Sequence, residues 1–214
     1  GYSTIFGMIN SVGQPVFREA SEDRQRLQNI FRKLMRFTAF VSFPAMLGLA
    51  IVSQELIVIS ITEKWLPCVP VMQILCVWGA FMPISTLYSN LMNSIGRPNV
   101  YMWNTIALGI FQLLCVWGSY PYGLNIMLIV YTAANIFWLL IWHYFAHKHI
   151  GISLLNTLKD IAPYLIISVA VMTFTYWVAG YVKNIYLSLL AKIALAASLY
   201  IFLMWSLKST VFRE

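Results

Sequence analysis

The chain has 214 residues, of which 60% are hydrophobic and only 10% charged, and its net charge is +7. Soluble globular proteins contain about 25% charged residues, and so few charges could not cover the apolar surface of a water-soluble fold. The composition therefore excludes a soluble domain and predicts an integral membrane protein. The positive charge requires no nucleic-acid partner, because anionic lipid headgroups attract basic residues at a membrane surface.

Several apolar runs are long enough to cross a bilayer, which takes about 20 residues in a helix. They lie at 37–61, 70–94, 100–119, 123–146, 160–181 and 185–207. Only short connections separate them, so the sequence predicts an all-α, polytopic transmembrane helix bundle. Residues 1–17 look like the end of a further span that is too short to cross by itself. They predict a chain that begins inside a truncated helix.

The basic residues predict the orientation of the bundle, because Lys and Arg near span ends are retained in the cytoplasm. Most of them fall in the segment 18–36 and in alternate loops after it, whereas the opposite loops hold only Lys64 and Lys183. Aromatic residues such as Trp65 and Trp117 mark the expected outer ends of spans. The predicted C-terminus is cytoplasmic.

The segment 18–36 is the most polar part of the chain and predicts a basic amphipathic helix that runs into the next span. Ser21 is a suitable N-cap, and Leu27 and Phe31 recur at helical spacing among the basic residues. One interpretation is a topology anchor, which is the commoner use of such a segment. The other is a basic mouth that meets a diphosphate headgroup.

Polar side chains inside the spans suggest either a wet cavity or hydrogen bonds between helices. Ser85, Ser89 and Asn93 form a stripe at four-residue spacing, with Asn90 and Ser94 beside it. Further polar residues in the next two spans are Asn104, Gln112 and Asn135. A sugar-passing cavity and interhelical hydrogen bonding are both open at this point, with hydrogen bonding favoured.

Lys192 lies inside the last predicted span, where an ammonium group costs about 2.5–3.5 kcal/mol on insertion scales. Such a residue is a functional candidate, although its long stem also allows it to snorkel to the outer surface, which we favour. Pro44 and Pro83 also fall inside spans and are able to kink their helices.

The sequence predicts no catalytic site, metal site or cofactor. No acidic residue falls at mid-span, and no phosphate-binding loop or nucleophile motif is visible. The three cysteines are too scattered for a metal site or a disulfide framework, and Cys76 and Cys115 are interpreted as small apolar residues. His143 and His147 are one helical turn apart, but no Cys or carboxylate lies near them in sequence, so we expect interfacial residues.

Five motifs occur in a characteristic order along residues 14–100. They are Gln14–Arg18, Phe43–Ala50, Thr62–Pro67 with its Glu-Lys-Trp turn, Val69–Leu75 and Asn93–Asn99. In this order the chain resembles the carboxy-terminal part of the Wzx-type polysaccharide flippases of the MOP exporter superfamily, in the branch of lipopolysaccharide and colanic acid export proteins. Thr62 departs from the pattern, because the family often has glycine there. Beyond residue 100 the likeness is one of hydropathy.

The resemblance implies a MATE-like fold of two lobes around a central cavity. On this mapping residues 1–17 end a truncated helix and residues 18–36 form the cytoplasmic amphipathic helix. Residues 37–146 form four transmembrane helices of the second lobe, and residues 147–214 form two appended C-terminal helices with a cytoplasmic tail. On the same mapping, the N-terminal lobe of the same protein would be missing from this chain.

The resemblance also implies a function, which is to flip an undecaprenyl-diphosphate-linked oligosaccharide across the bacterial inner membrane. Its partners would be that substrate, the membrane lipids and the missing lobe. The candidate substrate-binding residues are Arg18, Arg24, Arg97, Asn90, Asn93 and Lys192. Two alternatives stay open: a membrane-embedded glycosyltransferase or acyltransferase, and a cation-coupled small-molecule exporter of the same superfamily.

Overall fold

The computed structural model describes Phe17, residues 23–180 and residues 184–206. The main helices are α1 (Arg24–Ile51), α2 (Ser53–Ser60), α3 (Val69–Ser94), α4 (Pro98–Ser119), α5 (Leu124–Ile150), α6 (Leu154–Ala179) and α7 (Ile185–Ser206). Short 3₁₀ turns at Glu63–Cys68 and Tyr120–Tyr122 join α2 to α3 and α4 to α5. The described residues contain no strand.

Six of the helical segments in the described residues are long and apolar enough to cross a membrane. They are Arg24–Ile51, Glu63–Ser94, Pro98–Tyr122, Leu124–Ile150, Leu154–Ala179 and Ile185–Ser206. The outer faces of these helices are strongly apolar, as in α4, where Leu113 and Trp117 are 71% and 79% exposed. Exposure of such large apolar faces to water is unfavourable, whereas lipid accommodates them. The chain is therefore a multi-pass, all-α membrane protein, as predicted.

The first span differs from its predicted bounds of 37–61. Helix α1 begins in the basic segment at Arg24 and continues through Pro44 to Ile51, and the helix α2 follows after a break at Val52. The break frees the carbonyl of Ala50, which accepts hydrogen bonds from Ser53 Oγ at 2.8 Å and Gln73 Nε2 at 3.4 Å. Side chains thus replace the lost backbone donor.

Asp23 caps the start of α1. Its Oδ1 accepts hydrogen bonds from the backbone N–H groups of Gln25 at 2.9 Å and Arg26 at 3.1 Å, which satisfies two of the donors that open a helix. The predicted cap Ser21, Lys183 and the predicted C-terminal tail lie outside the described residues. Of the predicted partial span, only Phe17 is described.

The chain divides into two compact units. The first consists of residues 1–38 and 81–161, and the second of residues 39–80 and 162–214. Within the described part of the first unit, Phe31 on α1 packs against Tyr88 on α3, with ring centroids 5.2 Å apart. In the second unit, Tyr200 on α7 donates a hydrogen bond to the Phe40 carbonyl at 2.8 Å.

Candidate functional site

One face of α1 in the first unit docks on the turn between α5 and α6. This face consists of residues at four-residue spacing, namely Arg24, Gln28, Arg32 and Arg36. Gln28 Nε2 donates a hydrogen bond to the Ile150 carbonyl at the end of α5. Arg24 Nη2 lies 2.9 Å from the position that a Cβ on Gly151 would occupy. The basic segment is therefore held in place by a specific partner surface.

Asp160 anchors the deeper part of this face. Arg32 donates to both of its carboxylate oxygens, from Nε at 2.7 Å and from Nη2 at 3.1 Å, and Arg36 Nη1 lies 3.5 Å from Oδ1. Asp160 is only 6% exposed. A forked arginine–carboxylate contact fixes both distance and orientation. Arg32 and Arg36 therefore both form ion pairs with the Asp160 carboxylate.

The α5–α6 turn is built to receive positive charge. Helix α5 ends at Gly151, which has a φ of +77°, a left-handed conformation that glycine adopts without strain. The C-terminal end of a helix carries a partial negative charge, and Arg24 lies beside it. His147 Nδ1 is 2.8 Å from the Ile152 carbonyl, which closes the turn.

Arg97 lies in the turn between α3 and α4 and is exposed. It is the N-cap residue of α4 and makes no side-chain capping hydrogen bond. Arg97 and Lys148 lie near enough to His149, at the end of α5, for their charges to interact with it. A cation at the positive end of a helix is unfavourable by itself. An anion bound there would be attracted by both the arginine and the helix.

Several basic residues of the first unit therefore gather at one end, which we call the basic end. It consists of Arg24, Arg26, Arg97, Lys148 and His149. The start of α1, the α3–α4 turn and the α5–α6 turn meet there, because Arg24 lies at Gly151 and the charges of Arg97 and Lys148 lie near His149. Arg18, the remaining predicted arginine, lies outside the described residues.

Part of the predicted polar stripe on α3 forms hydrogen bonds within the same helix. Ser89 Oγ donates to the Ser85 carbonyl at 3.1 Å, and Thr86 Oγ1 donates to the Met82 carbonyl at 3.1 Å. Asn90 is buried, at 4% exposed. Asn93 is half-buried and lies closer to the basic end.

The polar residues of α4 and α5 pair with each other. Trp138 Nε1 donates to Asn104 Oδ1 at 2.6 Å, and Gln112 Nε2 donates to Asn135 Oδ1 at 2.7 Å. These contacts join the two helices across their shared face. For these residues the structure supports interhelical hydrogen bonding over a sugar-passing cavity.

His143 is buried in the first unit, where its Nδ1 lies 3.1 Å from the Tyr88 hydroxyl. It is therefore packed between helices, and its expected position at the membrane interface stays a prediction. Within the described ranges, no group of three or more His, Cys, Asp or Glu side chains is arranged to hold a metal ion.

Lys192 of the second unit forms a buried ion pair with Glu55. Its Nζ lies 2.5 Å from Glu55 Oε1 and 3.0 Å from the Ile51 carbonyl, and Ser188 Oγ donates to the same carboxylate oxygen at 3.0 Å. Lys192 and Glu55 are 5% and 7% exposed. The favoured interpretation of a lysine that snorkels to the surface is therefore wrong. Tyr176 completes the site, with its ring centroid 5.3 Å from Nζ.

A cavity of about 560 Å³ opens beside this ion pair. Apolar residues of α1 and α7 form most of its lining, and Lys192 and Tyr200 are among its polar members. The sequence contained a signal for Lys192 in its position within a span. It contained none for Glu55, because hydropathy placed that residue at the outer end of one continuous helix.

The structure places the predicted site residues in two groups. Arg24, Arg97, Asn90 and Asn93 belong to the first unit, with both arginines at the basic end, and Lys192 belongs to the second. Arg24 and Arg97 are exposed and open to an anionic ligand. Lys192 is already paired with Glu55.

Comparison with known proteins identifies a family of similar sequences. Residues 2–70 match the family of polysaccharide biosynthesis proteins. An uncharacterized membrane protein in the cps region of Klebsiella pneumoniae is 30% identical over 110 residues. The lipopolysaccharide biosynthesis protein WzxC of Escherichia coli (strain K12) is 30% identical over 105 residues. The teichuronic acid biosynthesis protein TuaB of Bacillus subtilis (strain 168) is 25% identical over 105 residues.

These alignments cover about half of this chain and a small part of each relative. The shares are 51% of the chain and 23% of the Klebsiella protein, 49% and 21% for WzxC, and 49% and 22% for TuaB. No solved structure gives a significant match. The relatives confirm the resemblance that the five motifs predicted.

Proposed function

We propose that this chain, a relative of the Wzx-type polysaccharide flippases, is part of a transporter that flips undecaprenyl-diphosphate-linked oligosaccharides across the bacterial inner membrane. The observation that carries the proposal is the match of residues 2–70 to polysaccharide biosynthesis proteins, together with relatives named for lipopolysaccharide and teichuronic acid biosynthesis. The multi-pass helical fold supports it, because a flippase must line a path across the bilayer.

In this proposal the chain supplies the carboxy-terminal part of the transporter, with four helices of the second lobe in 37–146 and two appended helices in 147–214. An N-terminal lobe of the same protein would complete the central cavity. The alignments cover only a small share of each relative, which supports a complete transporter that is longer than this chain. The C-terminus would be cytoplasmic.

The basic end would receive the substrate from the cytoplasm. Arg97, with the positive end of α4 behind it, and Arg24 would hold the diphosphate, because both are exposed. Arg18 stays a predicted substrate-binding residue and lies outside the described residues. Arg32 and Arg36 would position α1, since Asp160 engages both.

The sugar and the lipid would be held by different groups. Asn93, on the last turn of α3 before Arg97, would offer its amide to the first sugar residue. Asn90 is buried about one turn earlier and would meet the sugar only in a state in which the helices separate. The polyprenyl tail would stay among the membrane lipids, where its burial is favourable. Lys192 would meet substrate only in a state in which its pair with Glu55 opens.

One observation favours a second candidate function. A cation-coupled small-molecule exporter needs a carboxylate inside the bundle, and Glu55 is buried. Lys192 forms an ion pair with it, however, so in this state the carboxylate is already bound to a cation of the protein. An embedded transferase is less well supported, because Glu55 and His143 are both engaged by neighbouring side chains.

The test uses the full-length protein in cells that lack the chromosomal gene, with surface polymer and protein level measured together. Arg24→Gln and Arg97→Gln should each lower export about tenfold or more, because a charge-assisted contact contributes about 1.5–3 kcal/mol. Lys64→Gln, an exposed cation in the Glu63–Cys68 turn, is the matched control and should export normally. Normal export by both arginine variants would remove the diphosphate role, and normal export without the gene would refute the flippase itself.

A further inference from the structure

A sulfur-lined cavity of about 360 Å³ lies in the second unit, and its lining includes neither member of the ion pair. Four of its lining residues carry sulfur, namely Met46, Cys68, Met72 and Cys76, and the others are aliphatic. None of the lining side chains carries oxygen or nitrogen. Such a site was not visible in the sequence, because Met46 is distant in the chain from the cysteines.

Helix geometry brings these sulfurs to one surface. Met72 and Cys76 are one turn apart on one face at the start of α3, and Cys68, the last residue of the preceding 3₁₀ turn, lies four residues before Met72. Met46 reaches this face from α1. Its Sδ lies 3.6 Å from the position that a Cβ on Gly79 would occupy. Because Gly79 is three residues beyond Cys76, Met46 covers the same helical face.

The spacing decides which sulfurs can share one ion. With a rise of about 1.5 Å per residue, the Cα atoms of Cys68 and Cys76 are about 12 Å apart. Two short cysteine side chains with metal–sulfur bonds of about 2.3 Å do not span that distance. Met72 lies between them, one turn from each. Cys76 is buried and Cys68 is half-buried, so Cys68 lies nearer the rim.

We propose that this cavity binds one soft monovalent metal ion, of the Cu(I) or Ag(I) class, through Cys76, Met72 and Met46. Thiolate and thioether ligands select Cu(I), whereas hard ions prefer oxygen. On binding, the Cys76 thiol releases its proton to water and the thiolate sulfur bonds the ion. The resulting complex carries no net charge, which suits an apolar wall inside a membrane. Cys68 would be the first ligand that an arriving ion meets.

The experiment uses purified full-length protein in detergent, with Ag(I) as a redox-stable probe and Cu(I) under reducing, anaerobic conditions. Affinity is measured by competition with a chromogenic Cu(I) chelator, and bound metal by mass spectrometry after desalting. Cys76→Ser and Met72→Leu should each lose one ion per chain, or weaken its binding by tenfold or more. Cys115→Ser and Met102→Leu, which change the same residue types on α4 outside the cavity, should bind as the wild type does.

The unloaded melting temperature of every variant is recorded, and Cys76→Ala provides a second variant in case Cys76→Ser fails to fold. X-ray absorption of the Cu(I)-loaded protein should lose part of its sulfur-only signal in the Cys76 variants. Metal binding by a folded Cys76 variant that equals the wild type would overturn the site and leave a cavity that methionines merely fill. This result is independent of polymer export.

Discussion

Lys192 Nζ lies 2.5 Å from Glu55 Oε1, and the two residues come from helices that are 137 positions apart in the chain. Both side chains are almost fully buried. In an apolar interior a charge is stable only when a counter-charge and hydrogen bonds surround it. The Ile51 carbonyl and Ser188 hydroxyl supply those hydrogen bonds. The ion pair therefore fastens the start of α7 to α2.

Removal of one partner from this ion pair should be more damaging than removal of both. Glu55→Gln or Lys192→Met leaves a buried charge without its partner, which should cost about 3–5 kcal/mol. The double variant Glu55→Gln/Lys192→Met should recover a large part of that loss. Thermal unfolding of the purified protein in detergent measures the effect. Lys64→Met, at an exposed lysine, should leave the melting temperature unchanged, and single variants that melt like it would contradict a buried pair.

Asp160→Asn should loosen the start of α1. The substitution replaces the charged acceptor of Arg32 and Arg36 with an amide, and we expect a loss of about 1–2 kcal/mol, since Arg32 is partly exposed and its contact is weakened by solvent. Limited proteolysis within residues 24–38 reports the loosening directly. Glu63→Gln, which removes an exposed carboxylate in the Glu63–Cys68 turn, is the control. Equal cleavage of the two variants would show that Asp160 does not hold α1.

Hydropathy was enough to predict most of the helical spans, and the charge pattern predicts which loops share one side of the membrane. Each of these properties depends on residues close together in the chain. Asp160 and Glu55 were not predicted as partners of Arg32 and Lys192, because such pairs form between helices more than a hundred residues apart. The break at Val52 was also missed, since the run 37–61 is apolar throughout.

For the polar residues of the spans, the need for hydrogen-bond partners could be predicted from the sequence, but the identity of those partners could not. Their presence in apolar runs predicted that partners must exist, and the structure supplies them for Asn104, Gln112 and Asn135. Which partner each would take could not be read from spacing, because it depends on how α4 and α5 lie against each other. The choice between a cavity and interhelical hydrogen bonds therefore required the three-dimensional structure.

Gly151→Ala should destabilise the α5–α6 turn. The residue has a φ of +77°, a conformation that costs a residue with a Cβ about 1–2 kcal/mol. The new methyl group would also lie 2.9 Å from Arg24 Nη2, so the arginine must move. Gly109→Ala is the matched control, because it lies inside α4 with open space around it and should be neutral or slightly stabilising. Chemical unfolding compares the two, and equal midpoints would argue against the turn as described.

The hydrogen bond between Gln112 and Asn135 should contribute modestly to stability. Hydrogen bonds between membrane helices average about 0.6 kcal/mol in double-mutant cycles. Gln112→Leu, Asn135→Leu and the double variant should therefore show a coupling energy near that value, and polymer export should be retained. A loss of export without a loss of stability would instead assign these amides to the substrate path.

Lys64 and Lys148 should lie on opposite sides of the membrane. Helix α3 begins just after Lys64 and has 26 residues, so it extends about 39 Å, enough to cross a bilayer. Lys148 lies at the basic end, for which the distribution of Lys and Arg predicts a cytoplasmic location. In a cysteine-free background, an impermeant maleimide should label Lys64→Cys in intact spheroplasts and Lys148→Cys only after permeabilisation. Both positions are exposed, so a failure to react cannot come from burial. Labelling of both in intact spheroplasts would place the basic end outside and remove the cytoplasmic route to Arg97.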